Sequence, residues 1–490
     1  MPANRRPWII AAVLVLVALV PYADPFMARF RLVAPESLVR TFVDPFRGRP
    51  HVPLWREVRP LEGGGHPGVR GWESGQTPEG QGEAPSATAK PESGKEEFLA
   101  DPSHALKGFY QAVEWAERGV GVIRILHIGD SVVTGDLITA EARARLREAY
   151  GDGGPGWVYP ARPWEWYTHL GLTVKDSDWK IYSPLLSSRR DRRYGLAGLA
   201  FSSTGEAETV LRTDRHHPFS RLKLHYLAQA DGGSVIVRVD NQPPAEVSTA
   251  GDRGPAVREI PLAADAAHTV SLTPKGDGEI TLYGLVLERN GPGVAYDAVG
   301  ANGGAIHHLA LIHAGDWIEA LRLRSPDLVI LAFGTNETAY QNVPGPAYAA
   351  DYREVVRRIR EALPQVSILI MGPMDRGEHN ETGEIISMPK VVQIVEAQRM
   401  IARELDCAFF DTFRAMGGEG AAGRWYANRP RLMTADFTHP TRIGADALAK
   451  VLVDSLQQGY AAFRKGRASE GPEEHGAVGE AGPEGSYHRR

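Results

Sequence analysis

The sequence predicts a three-layer α/β/α domain built on a parallel sheet and interrupted by an inserted antiparallel β-sandwich. Three observations carry this. Short apolar runs alternate with amphipathic helical patterns on both sides of the chain's middle. Such alternation means a parallel sheet with helices on both faces. Between about Arg162 and Asn290 the helical period disappears, and runs with two-residue alternation are separated by turn residues. Residues 63–95, ahead of the body, are dense in glycine and proline, holding nine Gly and four Pro.

Taken in order, Val122-Ile-Arg-Ile-Leu-His-Ile128 is a β-branched strand, followed after a turn by a helical pattern from Leu137 to Tyr150. Residues 296–300 and 327–333 are further strands, and the second leads to a helix around Ala347–Leu363, stopped by Pro364. Ser367–Met371, a helix near Met388–Leu405 and Ala408–Phe410 continue the alternation. The last helix runs from about Arg442 to Gln457, with Ile443, Ala447, Leu448, Val451 and Leu452 on one face. In the interruption, Leu222–Tyr226, Ser234–Val239, His268–Leu272 and Glu279–Leu287 read as strands, separated by turn chemistry such as Asp231-Gly-Gly and Asp240-Asn-Gln-Pro.

Arg5 and Arg6 precede an apolar run from Trp8 to Val20, the pattern of a secretory signal or a signal-anchor. The lack of a good small-x-small cleavage site favours an uncleaved single membrane anchor, and positive-inside logic places everything after it outside the cytoplasm. The expected division is a signal peptide or anchor over 1–26 and a juxtamembrane, Gly/Pro-rich linker over 27–97. The α/β domain follows in two parts, 98–161 and 291–463, around a sandwich over 162–290. A disordered tail occupies 464–490. With 55 Lys+Arg against 60 Asp+Glu, the net charge of −5 argues against nucleic acid as a partner. A single cysteine, Cys407, excludes an internal disulfide and a multi-cysteine zinc site.

Four loop motifs carry the chemistry. Gly129-Asp130-Ser131 follows the first strand and precedes a helix, where ligands bind in a parallel sheet and where helix amides favour developing negative charge. Alone it also reads as a strand-to-helix turn with Ser131 as N-cap. Gly300-Ala-Asn-Gly-Gly304 offers backbone amides unobstructed by a Cβ, and Gly334-Thr-Asn336-Glu337 offers an uncharged side-chain donor suited to an oxyanion. Asp436-Phe-Thr-His439 precedes the last helix. There an Asp can hold the ring's Nδ1–H and leave Nε2 to take a serine proton.

These motifs, in this order, resemble those of the SGNH hydrolases, also called the GDSL esterase/acylhydrolase family, over most of residues 121–460. The resemblance implies a flavodoxin-like SGNH-hydrolase fold and an acyl-serine mechanism without metal or cofactor. By it Ser131 is the nucleophile, His439 the general base and Asp436 its orienting partner. Backbone N–H groups of Ser131 and Gly303, with the Asn336 amide, form the oxyanion hole; Gly300 is the competing position for the glycine. Glu337 stands where the family has Asp, which bears on how that loop is supported. The run from His127 to Trp157, ending Gly153-Gly-Pro-Gly156 and followed by a β insert, is also similar to bacterial peptidoglycan O-acetylesterases. That narrower resemblance implies an exported enzyme, periplasmic or in the cell envelope, whose partner is an O-acetylated cell-envelope polysaccharide.

Other features have two readings. Trp157, Tyr159, Trp164, Trp166 and Tyr167 could stack on sugar rings or pack between domains. His307, His308 and His313 lack a carboxylate at metal-ligand spacing and read as helix-end or solvent-facing residues. Cys407 reads as a small buried apolar residue. Three functions remain in competition. They are an esterase removing O-acetyl groups, an acetyltransferase using the same acyl-Ser131 intermediate, and a non-catalytic glycan-binding module.

Overall fold

The computed structural model describes residues 97–469. The expected targeting segment over 1–26 and nearly all of the linker lie outside the described residues, as does the tail beyond Ser469. Among the described residues no helix is long and apolar enough to cross a membrane.

The core sheet has six strands: β1 (Leu99–Ala100), β2 (Val122–Gly129), β3 (Gly293–Gly300), β4 (Leu328–Ala332), β5 (Ser367–Met371) and β6 (Ala408–Phe410). Their spatial order is β1-β6-β5-β4-β2-β3. Every neighbouring pair is parallel except β1 on β6, so the expected parallel sheet gains a two-residue antiparallel edge. Alternate residues face opposite layers. Ile123 and Ile125 join a buried cluster with Phe109, Leu146 and Leu448. Leu126 and Ile128 join one with Trp317, Tyr352 and Ile394. Leu328 and Ile330 against Val329 and Leu331 repeat the division in β4. Burial on both faces is the reason these strands read as unbroken apolar runs.

The first layer is α1 (Lys107–Glu117), α3 (Ile138–Tyr150) and α8 (Arg442–Ser469), with the single-turn α2 (Ser131–Thr134) between β2 and α3. The other is α4 (Ile306–Ala310), α5 (Ala314–Arg324), α6 (Pro346–Ala362) and α7 (Pro389–Glu404). Proline at the first position of α6 and of α7 removes an amide that has no intrahelical acceptor there. The final helix continues well past Gln457 and past residue 463, where the body was expected to end.

The interruption contains two antiparallel sheets, hydrogen-bonded separately from the core sheet. One orders Ala245–Ser248, Ser234–Val239, Thr269–Pro274, Glu208–Thr213 and Leu172–Ser177. The other is built on Gly254–Ala266, Phe219–Ala228, Ile280–Glu288, Ala200–Ser203 and Lys180–Tyr182. Leu211, Val237 and Leu272 from the first sheet share a buried cluster with Phe201, Leu224 and Leu282 from the second, which makes a sandwich. Gly156–Val158 pairs with Leu285–Leu287, so the antiparallel region starts ahead of the expected residue 162. A register shift at Gly284 makes room for Trp157: a Cβ on Gly284 would come within 2.3 Å of the indole.

The sandwich meets the core at a buried ion cluster. Glu288, with no exposed side-chain surface, accepts from Arg324 of α5 at 2.8 Å and Arg124 of β2 at 3.1 Å. From the sandwich strand Phe219–Ala228 it accepts Lys223 at 3.0 Å and Arg221 at 3.3 Å. Burial alone would raise this carboxyl's pKa, but Arg324, Arg124 and Lys223 outweigh it and hold it well below the usual carboxylate range. Glu288→Gln keeps the volume and leaves these cations under-compensated, so it should cost about 3–5 kcal/mol in a urea-unfolding measurement. Because the folded-state pKa is depressed, the contribution is complete above the unfolded glutamate value of about 4.3. It is lost as pH falls below that value. The unaltered chain should therefore lose more stability than Glu288→Gln between pH 5 and pH 3, by up to about 1.5–2 kcal/mol, with the rest lost at lower pH.

Candidate active site

Gly129 ends β2, and Asp130 turns the chain into α2. A Cβ on Gly129 would meet Val133 Cγ2 at 2.6 Å and the Ala332 carbonyl at 2.7 Å, so only glycine lets the helix start this close to the sheet. The N-cap is Asp130, not Ser131: its Oδ1 accepts the Val132 N–H at 3.1 Å. Ser131 is left at the first helical position, where its own N–H has no intrahelical acceptor. Its hydroxyl points to the loop before α8.

There His439 and Asp436 meet it. The Nδ1–H of His439 donates to Asp436 Oδ2 at 2.6 Å, and the Ser131 hydroxyl donates to Nε2 at 2.8 Å. Asp436 Oδ1 is also fully engaged, accepting the His439 N–H at 3.0 Å, the Thr438 N–H at 2.9 Å and the Thr434 hydroxyl at 2.6 Å. Burial alone would raise the Asp436 pKa. The His439 hydrogen bond and charge and the Thr434 hydroxyl hold it well below the usual carboxylate range instead. Asp436 thus stays ionised against the ring and keeps its tautomer, so a proton can pass from Ser131 Oγ to Nε2. Thr434 was missed by the sequence reading; its only signal is a threonine two residues before the aspartate.

The two flanking loops rise at the same level, because β2 pairs Gly129 with Gly300 of β3 on one side and with Ala332 of β4 on the other. Gly303 occupies the third position of a turn closed by the Gly304 N–H on the Ala301 carbonyl at 2.8 Å. Its φ of +75° is the left-handed region that glycine tolerates. Gly300 is still inside β3, its carbonyl accepts the Tyr159 hydroxyl at 2.8 Å, and a Cβ there would strike the Thr134 amide at 2.3 Å. Close packing explains Gly300, whereas Gly303 sits in open space. Asn336 starts a 3-10 turn, Asn336–Ala339, and donates one amide hydrogen to the Gly304 carbonyl at 2.9 Å, leaving the other available.

Glu337 supports both loops. Fully buried, it accepts the Gly334 N–H on Oε2 at 2.9 Å and the Ile306 N–H on Oε1 at 3.1 Å. Burial pushes its pKa up to about 7 against the opposing pull of these amides, and the nearby Asp130 charge adds to the rise.

The remaining candidates take structural roles. Trp157, Tyr159 and Tyr167 are buried and the half-buried Trp164 packs against the same core cluster, so these four serve packing, while Trp166 is half-buried outside that cluster. His308 Nδ1 accepts the Ala305 N–H at 3.0 Å and His313 Nδ1 accepts the Asp316 N–H at 3.3 Å, both at helix starts. His307 pairs with Asp351 at 3.2 Å. Among the described residues no group of three or more His, Cys, Asp or Glu could hold a metal ion. Burial pushes the Cys407 thiol up to about 12, which keeps it unreactive.

The model of the GDSL-like lipase/acylhydrolase family matches residues 271–447. The chain carries a GDSL-like lipase/acylhydrolase domain. The matched span holds Gly303, Asn336, Asp436 and His439 but not Ser131, which lies beyond the inserted sheets. No curated protein matches the chain. Among solved structures, a peptidoglycan O-acetylesterase superposes with a TM-score of 0.65 at 24% identity, covering 74% of this chain and 99% of that one. A family two carbohydrate esterase from Cellvibrio japonicus aligns at 15% identity and TM-score 0.24, covering 59% of this chain and 99% of that one. The domain has the SGNH hydrolase fold.

The Thr434 hydroxyl gives this GDSL-like domain a test of how Asp436 is held. Thr434→Val removes one of the donors to Asp436 without touching Ser131. A charge-assisted hydrogen bond of about 1.5–3 kcal/mol predicts a fall in kcat of about tenfold or more. KM on a short-chain aryl ester should stay within about twofold, as steady-state kinetics would show.

Proposed function

We propose that this protein is an exported serine esterase that removes O-acetyl groups from a cell-envelope polysaccharide, with peptidoglycan the favoured substrate. The observation that carries the reading is the continuous chain from Ser131 Oγ through His439 to Asp436. Ser131 attacks the acetyl carbonyl while His439 Nε2 takes its proton. The tetrahedral oxyanion receives hydrogen bonds from the Ser131 and Gly303 N–H groups and from Asn336. Collapse breaks the bond to the sugar oxygen, which takes the proton from His439 and leaves as a hydroxyl, with acetyl-Ser131 left behind. Water, deprotonated by His439, attacks that ester, and acetate leaves with Ser131 restored. The solved structure with TM-score 0.65, described as a peptidoglycan O-acetylesterase, supports the substrate class. The Arg5-Arg6 flank and apolar run over 8–20 support export.

Acetate released from isolated cell wall, acetylated exopolysaccharide and a short-chain aryl ester should be measured side by side. Release from cell wall well above that from exopolysaccharide is expected; release from exopolysaccharide alone would overturn the peptidoglycan assignment. Ser131→Ala should abolish release from every substrate, and Asp436→Asn should cost up to roughly 10⁴-fold. A folded Ser131→Ala variant that still forms an adduct with a serine-directed phosphonate would mean another residue is the nucleophile. For topology, protease added to intact spheroplasts should digest the folded body; full protection would refute export.

A further inference from the structure

The departure at Glu337 stands out because one side chain spans two segments that meet at the reaction centre. Its two oxygens take amide hydrogens from opposite loops: Gly334, two residues before Asn336, and Ile306, three residues after Gly303. The Ile306 amide neighbours the Ala305 amide, which His308 Nδ1 accepts, and the Asn336 amide closes the same junction on Gly304.

We propose that Glu337 is a positioning residue whose carboxylate locks the Gly303 and Asn336 loops at a single separation, so that its ionisation state gates the electrophilic side of the site. The inference rests on the reading that these loops supply the oxyanion donors. Geometry explains the dependence on charge. An ionised carboxylate offers two equivalent acceptors to two amide hydrogens. Protonation turns one oxygen into a hydroxyl, a weaker acceptor carrying a hydrogen of its own, and that amide loses its hold. The groups facing Glu337 are Asp130 at the start of α2, Tyr340 after the 3-10 turn, and Tyr348 and Tyr352 of α6. Arg376 reaches the same turn, donating to the Thr335 carbonyl at 3.2 Å and the Thr338 hydroxyl at 2.6 Å. Burial pushes the carboxyl up to about 7, so its protonation falls inside the working range. Loss of the lock on the acid side then acts on the oxyanion donors, apart from any proton taken up by the general base.

The test compares the unaltered protein with Glu337→Gln, Glu337→Asp and Asn336→Ala, measuring kcat and KM on a short-chain aryl ester from pH 5 to pH 9. A single protonation lowers a rate by at most about tenfold per pH unit. The acid limb of kcat in the unaltered protein should be steeper than that. Glu337→Gln, isosteric but with an NH₂ facing one of the amides, should lower kcat about 10- to 100-fold with KM within about twofold. Its acid limb should follow one proton. Glu337→Asp restores the charge and should recover the steep limb with an intermediate kcat. An unchanged kcat in Asn336→Ala would overturn the oxyanion assignment itself, and this inference with it. If Asn336→Ala lowers kcat while Glu337→Gln does not, or if the unaltered limb follows one proton, Glu337 does not position the site and this inference alone falls. Should Glu337→Gln fail to fold by circular dichroism, the limb of the unaltered protein decides.

Discussion

The level ending of three parallel strands is the constraint on which the site depends. β2 pairs Gly129 with Gly300 of β3 and with Ala332 of β4, so the turns that follow all three emerge side by side. Slipping β2 by one residue would turn Ile128 and Leu126 to the wrong layer, so burial on both faces enforces the alignment. The packing is tight enough to demand glycine at both Gly129 and Gly300, because α2 begins directly over the strand ends. His439 is brought to this edge by α8, which is tied to α3 through the Arg442–Glu141 and Arg145–Asp446 pairs. The reaction centre is thus assembled by the layers rather than by any one loop.

Three carboxylates show how environment divides labour within one chain. Asp436 is surrounded by donors, including a ring that becomes cationic, and stays ionised. Glu288 faces cations from both the core and the sandwich and acts as a fastener between them. Glu337 has only backbone amides for partners and no neighbouring cation within ion-pair distance among the described residues. The same functional group therefore orients a base, joins two sheets, or sits close to neutrality, according to the charge it faces.

Much of this was legible in the sequence, because the elements that matter are periodic and local. The strands β2 and β4–β6 and the larger helices follow from apolar spacing, and Ser131, Asp436 and His439 from their places at strand ends and helix starts. What could not be read depends on partners distant in sequence. The strand Gly156–Val158 exists only because Leu285–Leu287 lies beside it. Trp157, readable as a sugar platform, is buried because Gly284 leaves space for its ring. Asp130 rather than Ser131 is the cap because Ser131 already stands at the first helical position, with its hydroxyl directed at His439. The support given by Glu337 required knowing that Ile306 lies within reach, which no pattern around Gly334–Glu337 reveals.

The contact between Ser131 and His439 joins residues 308 apart in the chain. The sheet places β2 between β3 and β4, both of which follow the sandwich in the chain, so the strand leading to Ser131 stays unpaired until the intervening sandwich has been passed. Contacts of such long range are slow to form, because loop closure must be completed before they stabilise anything. A fragment that ends before the Asp436–His439 loop carries the Ser131 turn without its histidine partner. The Ser131–His439 pair therefore exists only once both ends of the fold are present, and the order of residues along the polypeptide acts as a check on that completeness.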